Sequence, residues 1–462
     1  MCDINQYIID IDSIIKNYRM NKGGVNHNHG NKFKLLPYIT DESKQMTEFD
    51  GVTGAFSRMI CGKELKDDFN ADEFIQNVED EIGEFEGLNS KEAFRNIIRT
   101  LFINSENQLI NFDAKTLNYV SSTKDEKKFA KFLYSIFFDS DLKSLAKELY
   151  DKEVDNIVYT LALNALPPLQ NQDNEEIEYK CYLPFIKELF LKDIKFIMKN
   201  EIFYSNSLKR LLEYYYMFYV SQLAMKLSQF EKADLNNPEK IYYSLSWESI
   251  SKNRTSYEFG WELLNSKVNK LFSHAVTLEL LNYHDLDYQF NYVELNEIFK
   301  SINNDKLEKQ LDQLIDTYIT SIKDVNWTEM EYDLYQCGNR CFDKVYKLFQ
   351  SVDYQFIKST RKTPYNKYKN KYVNFVYKNF GKRRGSLGYS LNLNEEDIIL
   401  MTKICINNNN KLKLSLLFDE FEKRGMFFDR DSKIKIIQLY EKLNLLEKKS
   451  DSGDAQYVRS VL

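Results

Sequence analysis

The sequence has little glycine and proline, 15 and 6 residues among 462. This scarcity excludes a loop-rich all-β protein, because tight turns draw mainly on these two residues. No run of about 18 apolar residues occurs, so no membrane span is expected. The first twenty residues lack a basic leader and include Asp10 and Asp12, so no secretory signal peptide is expected. The six scattered cysteines fit reduced thiols, and we expect a bacterial-type cytoplasmic protein.

Signatures of catalysis are scarce as well. No GxxxxGKS/T phosphate loop occurs, and the segment GKRRG at 381–385 lacks both the spacing and the Ser or Thr of a nucleotide cradle. No GxSxG nucleophile elbow occurs either. Acidic residues are so plentiful that a pair of them indicates nothing by itself. The sequence therefore predicts no enzymatic activity, no cofactor and no small-molecule substrate.

Candidate metal ligands are few. His27 and His29 lie in NHNHG, which is predicted to be an exposed polar loop without a third ligand nearby. Cys337 and Cys341 are one helical turn apart, so their sulfurs could share a helix face. Neither a third Cys nor a His is close to them in sequence, whereas zinc and iron–sulfur sites require more ligands. We therefore predict two free thiols in a helix interface and no metal site.

The predicted fold is mainly α, with a large helical body and a small C-terminal winged-helix-like α/β domain. Four segments are predicted: an acidic N-terminal segment at 1–90, the α-helical body at 91–353, a basic aromatic linker or helix at 354–384, and the winged-helix-like domain at 385–462. In the body, apolar residues recur at three- and four-residue spacing. Its histidines, His274 and His284, are predicted to fill the core or the surface.

Two helices are predicted near the N-terminus. The first covers residues 3–20 and places isoleucines on one face, namely Ile4, Ile8, Ile11 and Ile15. The second covers FDGVTGAFSRMICG, where three glycines would let the helix pack closely against a neighbour. Within the body, a run of aromatic residues is predicted to be core rather than a cofactor contact: Tyr214, Tyr215, Tyr216 and Phe218.

The C-terminal segment has the order of a winged helix-turn-helix. A helix is predicted to begin after the N-cap Asn394, and a second helix to end at Gly425. The third helix is SKIKIIQLYEKLN, and a hairpin with the turn SDSGD follows it. In the usual docking of such a domain, the third helix enters a major groove and the wing contacts the DNA backbone.

A basic stretch precedes this domain. From Tyr354 to Asn394 there are ten Lys or Arg and no Asp or Glu, although the net charge of the chain is -6. Residues 41–90 hold fourteen acids against four basic residues, a local net charge of -10. Cations neutralise DNA phosphates and release counterions, so the stretch predicts binding of double-stranded DNA. The alternative is a solvated basic face that pairs with the 41–90 segment, within the chain or between subunits.

The predicted DNA contacts are cations of this stretch, of the third helix with its lead-in, and of the wing. They are Lys367, Lys369, Lys371, Lys378, Lys382, Arg383, Arg384, Arg430, Lys433, Lys435, Lys448, Lys449 and Arg459. The emphasis falls on Lys382, Arg383 and Arg384. Some of the interleaved aromatic residues are predicted to be core, and Gly385 and Gly388 to let the chain turn into the domain.

The phrases RRGSLGY, EKRGMFFDRDS and SDSGDAQYVR resemble the C-terminal region of the DptG family. These are the DNA phosphorothioation-dependent restriction proteins of bacterial Dnd-type defence systems. The resemblance covers about the last 80 residues, with weaker support from KLLPY and FDGVTGAFSRMI near the N-terminus. The long middle of the chain matches only in length and helical character.

The resemblance implies an accessory subunit of an antiviral restriction complex. In such systems DptF and DptH are the partners and carry the ATPase and cleavage functions, so the predicted role is to bind DNA and to organise the complex. Two alternatives stay open from the residues themselves. One is a metal-dependent nuclease whose acidic ligands are dispersed in sequence, and the other is a purely protein-binding scaffold.

Overall fold

The structure is a computed structural model, and it describes residues 7–20, 25–38, 48–87, 89–172, 176–302, 304–448 and 456–460. The chain divides into two compact units, each assembled from segments that are not consecutive in sequence. Unit 1 consists of Met1–Gln45, Val220–Asn392 and Gly425–Arg430. Unit 2 consists of Met46–Tyr219, Leu393–Arg424 and Asp431–Leu462.

Helices dominate the described residues, which confirms the predicted mainly α class. The helices are α1 (Ile11–Asn17), α2 (Asp50–Cys61), α3 (Ala71–Ile82), α4 (Ser90–Phe102), α5 (Lys124–Phe137), α6 (Ser140–Asp151), α7 (Ile157–Asn164), α8 (Pro184–Ile197), α9 (Glu201–Leu227), α10 (Thr255–Tyr257), α11 (Leu263–Val268), α12 (Leu271–Leu281), α13 (Tyr292–Ser301), α14 (Asn304–Ser321), α15 (Arg340–Lys358), α16 (Lys362–Asn379), α17 (Glu395–Ile406), α18 (Leu414–Lys423) and α19 (Arg430–Lys442). None of the described helices combines the length and the apolar stretch that a membrane crossing requires.

The strands are short and form three small sheets within the described part of the chain. One pairs β1 (Lys63–Glu64) with β2 (Gln170–Asn171). The second has the order β3 (Ser244–Leu245), β5 (Tyr389–Leu393), β4 (Gly381–Arg383), and the third the order β6 (Lys411–Lys413), β8 (Gln456–Arg459), β7 (Leu446–Lys448). The predicted wing pair corresponds to β7 and β8, whereas β6 was not predicted.

The first helix is shorter than predicted. It begins at Ile11, because the Asp10 carboxylate caps it by accepting from the Ser13 N–H at 2.9 Å. Residues 7–10 are not helical, and the Asp10 N–H donates instead to the Tyr283 carbonyl at 2.8 Å. Ile8 is therefore exposed, while Ile14 is buried. The predicted helix over 3–20 with Ile8 on its buried face is wrong, and its residue Ile4 lies outside the described residues.

A buried carboxylate fixes the loop around NHNHG in unit 1. Glu279 on α12 accepts four backbone N–H groups, from Gly30 (3.0 Å), Asn31 (3.2 Å), Lys32 (2.9 Å) and Phe33 (2.8 Å). Burial raises the pKa of the Glu279 carboxyl, and the four N–H donors oppose that shift. One carboxylate thus accepts hydrogen bonds from four consecutive backbone N–H groups. In an exposed loop these N–H groups would bond to water.

The two histidines of this loop pack into the core of unit 1 and are not exposed, contrary to the prediction. His27 Nε2 shares a hydrogen bond of 2.8 Å with the Tyr318 hydroxyl. The His29 ring lies edge-on to the rings of Phe272 and Tyr368, at 5.3 Å from each. Burial lowers the pKa of His27 to about 3 and that of His29 to about 4. Both imidazoles are therefore neutral fillers of an aromatic cluster.

Unit 2 is built around Glu201–Tyr219 of α9 and the close pair α2 and α5. The predicted core aromatics of α9 are confirmed, since Tyr214, Tyr215, Tyr216 and Phe218 are all buried. The prediction of a closely packed second helix is confirmed as well. A Cβ on Gly54 of α2 would lie 2.5 Å from the Val120 carbonyl oxygen, so only glycine fits at this approach.

A fully buried ion pair connects α8 with the end of α18 in unit 2. The Arg424 guanidinium donates to both carboxylate oxygens of Asp193, at 2.7 and 2.6 Å, and to Glu420 at 2.8 Å. The Tyr215 hydroxyl donates to Asp193 at 2.6 Å. Arg424 and Asp193 are both completely buried, so each charge is stabilised by its partner and not by water.

Candidate nucleic-acid interface

The basic stretch forms helix α16 followed by a hairpin, both in unit 1. The helix begins at Lys362 and has Pro364 in its first turn. Proline is tolerated there because no backbone N–H bond is required in a first helical turn. Its aromatic residues face inward: Tyr365, Tyr368, Tyr372 and Phe375 are buried, and the Tyr372 hydroxyl shares a 2.6 Å hydrogen bond with Ser221. The prediction that some of these aromatics are core is confirmed.

The lysines of α16 lie at the margin of this buried face. Lys367, Lys369 and Lys371 are half-buried, and Lys378 is exposed. The Lys369 ammonium lies 5.7 Å from the centre of the Tyr365 ring, and burial lowers its pKa. The alkyl stems of such lysines cover apolar surface while the ammonium groups reach water. The helix therefore presents a basic rim rather than a fully exposed basic face.

The GKRRG segment forms the hairpin of β4 and β5. Gly381 pairs with Leu391 and Arg383 with Tyr389, and a 3-10 turn at Gly385–Leu387 connects the strands. Gly385 and Gly388 have φ of 59° and 76°, a backbone region that strongly favours glycine. The two glycines thus form the turn, as predicted.

Of the three emphasised cations, Lys382 and Arg384 contact the same segment of unit 1, whereas Arg383 does not. Arg384 donates to the carbonyls of Leu245 (2.8 Å) and Glu248 (2.7 Å), and Lys382 donates to the Ser246 carbonyl. Arg383 is exposed on the opposite face, because successive residues of a strand alternate sides. Lys382 and Arg384 therefore fasten the hairpin to residues 244–248, and Arg383 is the cation that faces solvent.

The cations of the third helix lie on α19. Arg430, its first residue, is exposed. Lys433 pairs with Glu422 at 3.0 Å and lies 5.1 Å from the centre of the Phe418 ring, both on α18. Lys435 donates to Gln438 at 3.2 Å. Of these three positions, Arg430 is the most open to a phosphate.

The cations of the wing are held in ion pairs of unit 2. Lys448 on β7 pairs with Glu441 at 2.8 Å, and Arg459 on β8 with Glu447 at 3.3 Å. Glu447 also pairs with Lys411 on β6 at 2.9 Å. The predicted contact Lys449 lies outside the described residues. Acidic partners from neighbouring elements thus balance the charge of this small sheet.

The predicted thiol pair does not share a helix. Cys341 is in the first turn of α15, whereas Cys337 precedes the helix, separated from it by Gly338 at a φ of 84° and by the N-cap Asn339. The five described cysteines are free thiols. In the described residues, no group of three or more His, Cys, Asp or Glu is arranged to hold a metal ion.

Sequence reasoning missed the side chains that fix the hairpin and the C-terminal helices. Glu422, Glu441 and Glu447 neutralise predicted contacts, yet each belongs to a different element from the cation it meets. Arg424 lies within the quoted phrase EKRGMFFDRDS, but its partner Asp193 is 231 positions away.

Comparison with protein-family models gave no match, and comparison with curated proteins gave none either. The resemblance to the DptG family therefore stays a prediction that depends on the quoted phrases.

Proposed function

We propose that the chain is a non-catalytic, DNA-binding and complex-organising subunit of a DNA phosphorothioation-dependent restriction system, acting with DptF and DptH. The observation that carries the proposal is where the resembling phrases lie. RRGSLGY contains the β4–β5 turn, and EKRGMFFDRDS contains the connection from α18 to α19. SDSGDAQYVR ends in β8, the central strand of its sheet. The phrases that suggest the family thus cover turns and connections of the C-terminal region.

The order of elements supports a winged-helix domain within this proposal. Helix α17 is followed by β6, α18, α19, β7 and β8, and the sheet has the order β6, β8, β7. The three helices with a three-stranded wing sheet match the arrangement in which the third helix reads a major groove. In this interpretation α19 is the recognition helix, and the β7–β8 pair is the wing.

The exposed cations supply the phosphate contacts in the proposal. Lys378, Arg383 and Arg430 are exposed, whereas Lys382 and Arg384 bond to backbone carbonyls of unit 1. Contacts of exposed Lys and Arg with phosphate are independent of base sequence and release counterions. Binding should therefore be salt-dependent and show little sequence preference.

Charge reversal of the full chain tests this role. The triple variant Lys378→Glu/Arg383→Glu/Arg430→Glu should bind duplex DNA more weakly, and the slope of log K against log salt should fall by about 0.9 for each lost contact. Lys124, Lys127 and Lys128 on α5 are exposed and give a matched control with the same change in net charge. Fluorescence anisotropy with a 5′-hydroxyl duplex measures both. Equal binding by the test and control variants contradicts the proposal.

A protein-docking role for the C-terminal region is the second candidate, and one observation favours it. Lys433, Lys448 and Arg459 are already paired with acids, while Ile434 and Leu443 on or next to α19 are 43% and 39% exposed. Exposed apolar side chains flanked by balanced charge suit a protein partner better than a phosphate backbone. Co-purification with DptF or DptH that is lost in Ile434→Asp, with duplex binding unchanged, would select this role.

A further inference from the structure

Three aromatic rings contact one another in sequence beside the β4–β5 hairpin of unit 1. The Tyr377 ring, in the last turn of α16, lies parallel to the Tyr389 ring of β5, with 3.8 Å between the ring centres and 14° between the planes. The ring of the buried Trp261 packs edge-on against Tyr377 at 5.3 Å. All three residues belong to the segment 220–392 of unit 1. The row of rings thus runs from a buried indole to a residue of the hairpin.

The backbone fixes the positions of these rings. A Cβ at Gly381 would lie 2.8 Å from the Tyr377 Cα, so glycine is required for β4 to pass this close to the end of α16. On the other side, Trp261 lies in a π-helical turn, Glu258–Glu262, a helix type that is frequent at functional sites. The arrangement of the rings therefore depends on three rigid backbone elements.

The outer end of the row is open. Tyr377 and Tyr389 are half-buried, and within the described part of the chain neither hydroxyl has a hydrogen-bond partner. No further ring or cation of the described residues packs on Tyr389. Tyr372, earlier on α16, is fully buried instead and shares its hydrogen bond with Ser221. A buried tyrosine usually finds such a partner, so Tyr389 differs from the core tyrosines of this helix.

Arg383 places a positive charge next to the outer ring. It lies directly opposite Tyr389 in the β4–β5 register, and opposite residues of an antiparallel pair have their side chains on the same face. Its side chain is exposed and forms no ion pair with any carboxylate of the described residues. An aromatic ring beside a cation is the combination with which proteins bind single-stranded nucleic acid, the ring stacking on a base and the cation contacting the backbone.

The acidic residues near these rings lie on the π-helical turn. Glu258 and Glu262 are exposed, whereas residues 354–394 contain no Asp or Glu. Carboxylates repel phosphates, so the backbone of a bound strand should follow the hairpin and not this turn. The bases of a duplex already stack on one another, and only an unpaired base has a face to offer to Tyr389.

We propose that the β4–β5 hairpin holds an unpaired base of a single-stranded nucleic acid. The base stacks on Tyr389 and continues the stack begun by Tyr377, and the adjoining phosphate bonds to Arg383. This inference rests on the proposed function in one respect, since Arg383 is also a proposed contact for duplex DNA. Stacking of a base on an aromatic ring tolerates any sequence, because every base has such a face.

Fluorescence anisotropy of the full chain tests the site with two labelled probes, an oligothymidine single strand and a blunt-ended 5′-hydroxyl duplex. Tyr389→Ala should bind the single strand about tenfold more weakly and leave duplex binding unchanged. Tyr389→Trp should bind the single strand as tightly as the parent does, because the aromatic face is kept. Tyr288→Ala is the matched control, since Tyr288 is a 44% exposed tyrosine of the same unit.

Crosslinking of the parent chain gives a second measurement that does not depend on any variant folding. A single strand that carries 5-iododeoxyuridine should crosslink to Tyr389 on irradiation, as peptide mass spectrometry would show. Circular dichroism checks that the variants fold, and Tyr389→Leu replaces Tyr389→Ala if the latter does not. Recovery of binding in Tyr389→Trp distinguishes stacking on the base from a purely structural role of the ring.

The proposal is overturned if Tyr389→Ala binds the single strand as tightly as Tyr288→Ala does, or if crosslinks form only outside the hairpin. Failure of the parent chain to bind the single strand overturns it as well. The duplex probe tests the proposed function separately. If duplex binding is salt-dependent while Tyr389→Ala has no effect, only this site is wrong. If the parent chain binds the single strand through Tyr389 but no duplex, the duplex-binding role is wrong and this site stands.

Discussion

Arg383 and Arg384 are neighbours in the chain but have different surroundings. Arg384 donates to the carbonyls of Leu245 and Glu248, and its pKa is lowered by burial, whereas Arg383 is exposed. The physical reason is their position, since Arg383 is the last residue of β4 and Arg384 precedes the 3-10 turn as its N-cap. Of these two arginines, Arg384 therefore holds the hairpin in place and Arg383 faces solvent.

Substitution separates these two roles. Arg384→Ala should lower the free energy of unfolding by about 2–3 kcal/mol, because buried carbonyls lose their donor. Arg383→Ala should change it by less than about 0.5 kcal/mol and should weaken binding to duplex DNA. Urea denaturation followed by circular dichroism measures the first effect, and anisotropy the second. An Arg384→Ala protein as stable as the parent would show that these hydrogen bonds do not stabilise the hairpin.

The buried pair of Arg424 and Asp193 gives a second prediction at this scale. Arg424→Met should destabilise the protein by about 3–5 kcal/mol, because Asp193 would remain buried without its partner. Adding Asp193→Leu to this variant should recover part of the loss, since the unpaired charge is then removed. Thermal or urea unfolding of the two variants decides the matter. If the double variant is less stable than Arg424→Met alone, the two charges are not coupled in this way.

At the scale of elements, α17 shows how local sequence determines a helix start. The Asn394 side chain accepts from the Asp397 N–H at 2.8 Å, and the Asp397 carboxylate accepts from the Asn394 N–H at 3.0 Å. Asp397 also accepts two bonds from Arg210 on α9, at 2.6 and 2.9 Å. The capping box therefore joins the start of α17 to another helix of unit 2.

Loss of the cap should have a modest and measurable effect. Asn394→Ala should lower the free energy of unfolding by about 1 kcal/mol, because one N–H of the first turn loses its acceptor. Asn164→Ala at the exposed end of α7 removes the same side chain without a cap and should cost less than about 0.5 kcal/mol. Differential scanning calorimetry compares the two. Equal melting temperatures for both variants would argue against the capping role.

The C-terminal helices and the wing strands were predictable because their signals are local. Asn394 and Gly425 mark the ends of helices, and apolar spacing marks the helices between them. Strand β6 escaped prediction because it has three residues, two of them lysine, and its partner β8 lies more than forty residues later. The α1 boundary was wrong because the bond between the Asp10 N–H and the Tyr283 carbonyl is non-local.

The candidate site was predictable only as a set of positive charges. Charge content revealed the stretch from Tyr354 to Asn394, and helical periodicity indicated that part of its aromatics is core. Which cations are engaged depends on partners from other elements, such as Glu422 for Lys433 and the Ser246 carbonyl for Lys382. Neither pairing leaves a trace in local composition.

At the scale of the whole molecule, all four histidines belong to unit 1. Burial lowers the pKa of His284 to about 4 and that of His274 well below its usual value, in addition to the shifts at His27 and His29. A histidine with a lowered folded-state pKa binds more protons when unfolded. The contribution of the neutral histidines to stability is therefore fully present above about pH 6.5. It is lost as the pH falls toward their folded-state pKa values.

Acidification should therefore loosen unit 1 first. Each histidine should cost up to about 1.4 kcal/mol for each pH unit below 6.5, and the raised pKa values of Glu279 and Asp353 offset part of this loss. Hydrogen exchange at pH 7 and pH 5, corrected for intrinsic rates, should show weaker protection in residues 220–392 than in residues 48–219. The variant His29→Gln should reduce the difference. Equal loss of protection in both regions would show that the histidines of unit 1 do not cause the acid sensitivity.

The division into two units has a consequence for synthesis of the chain. Going from the N-terminus, the chain passes from one unit to the other five times, the last time after Arg430. Unit 1 lacks a segment until residues 425–430 have left the ribosome, and unit 2 until residues 431–462 have done so. Because domains generally fold as units during synthesis, neither unit can complete its fold from the first 424 residues alone. A ribosome that stops before Gly425 releases a chain in which neither unit can close.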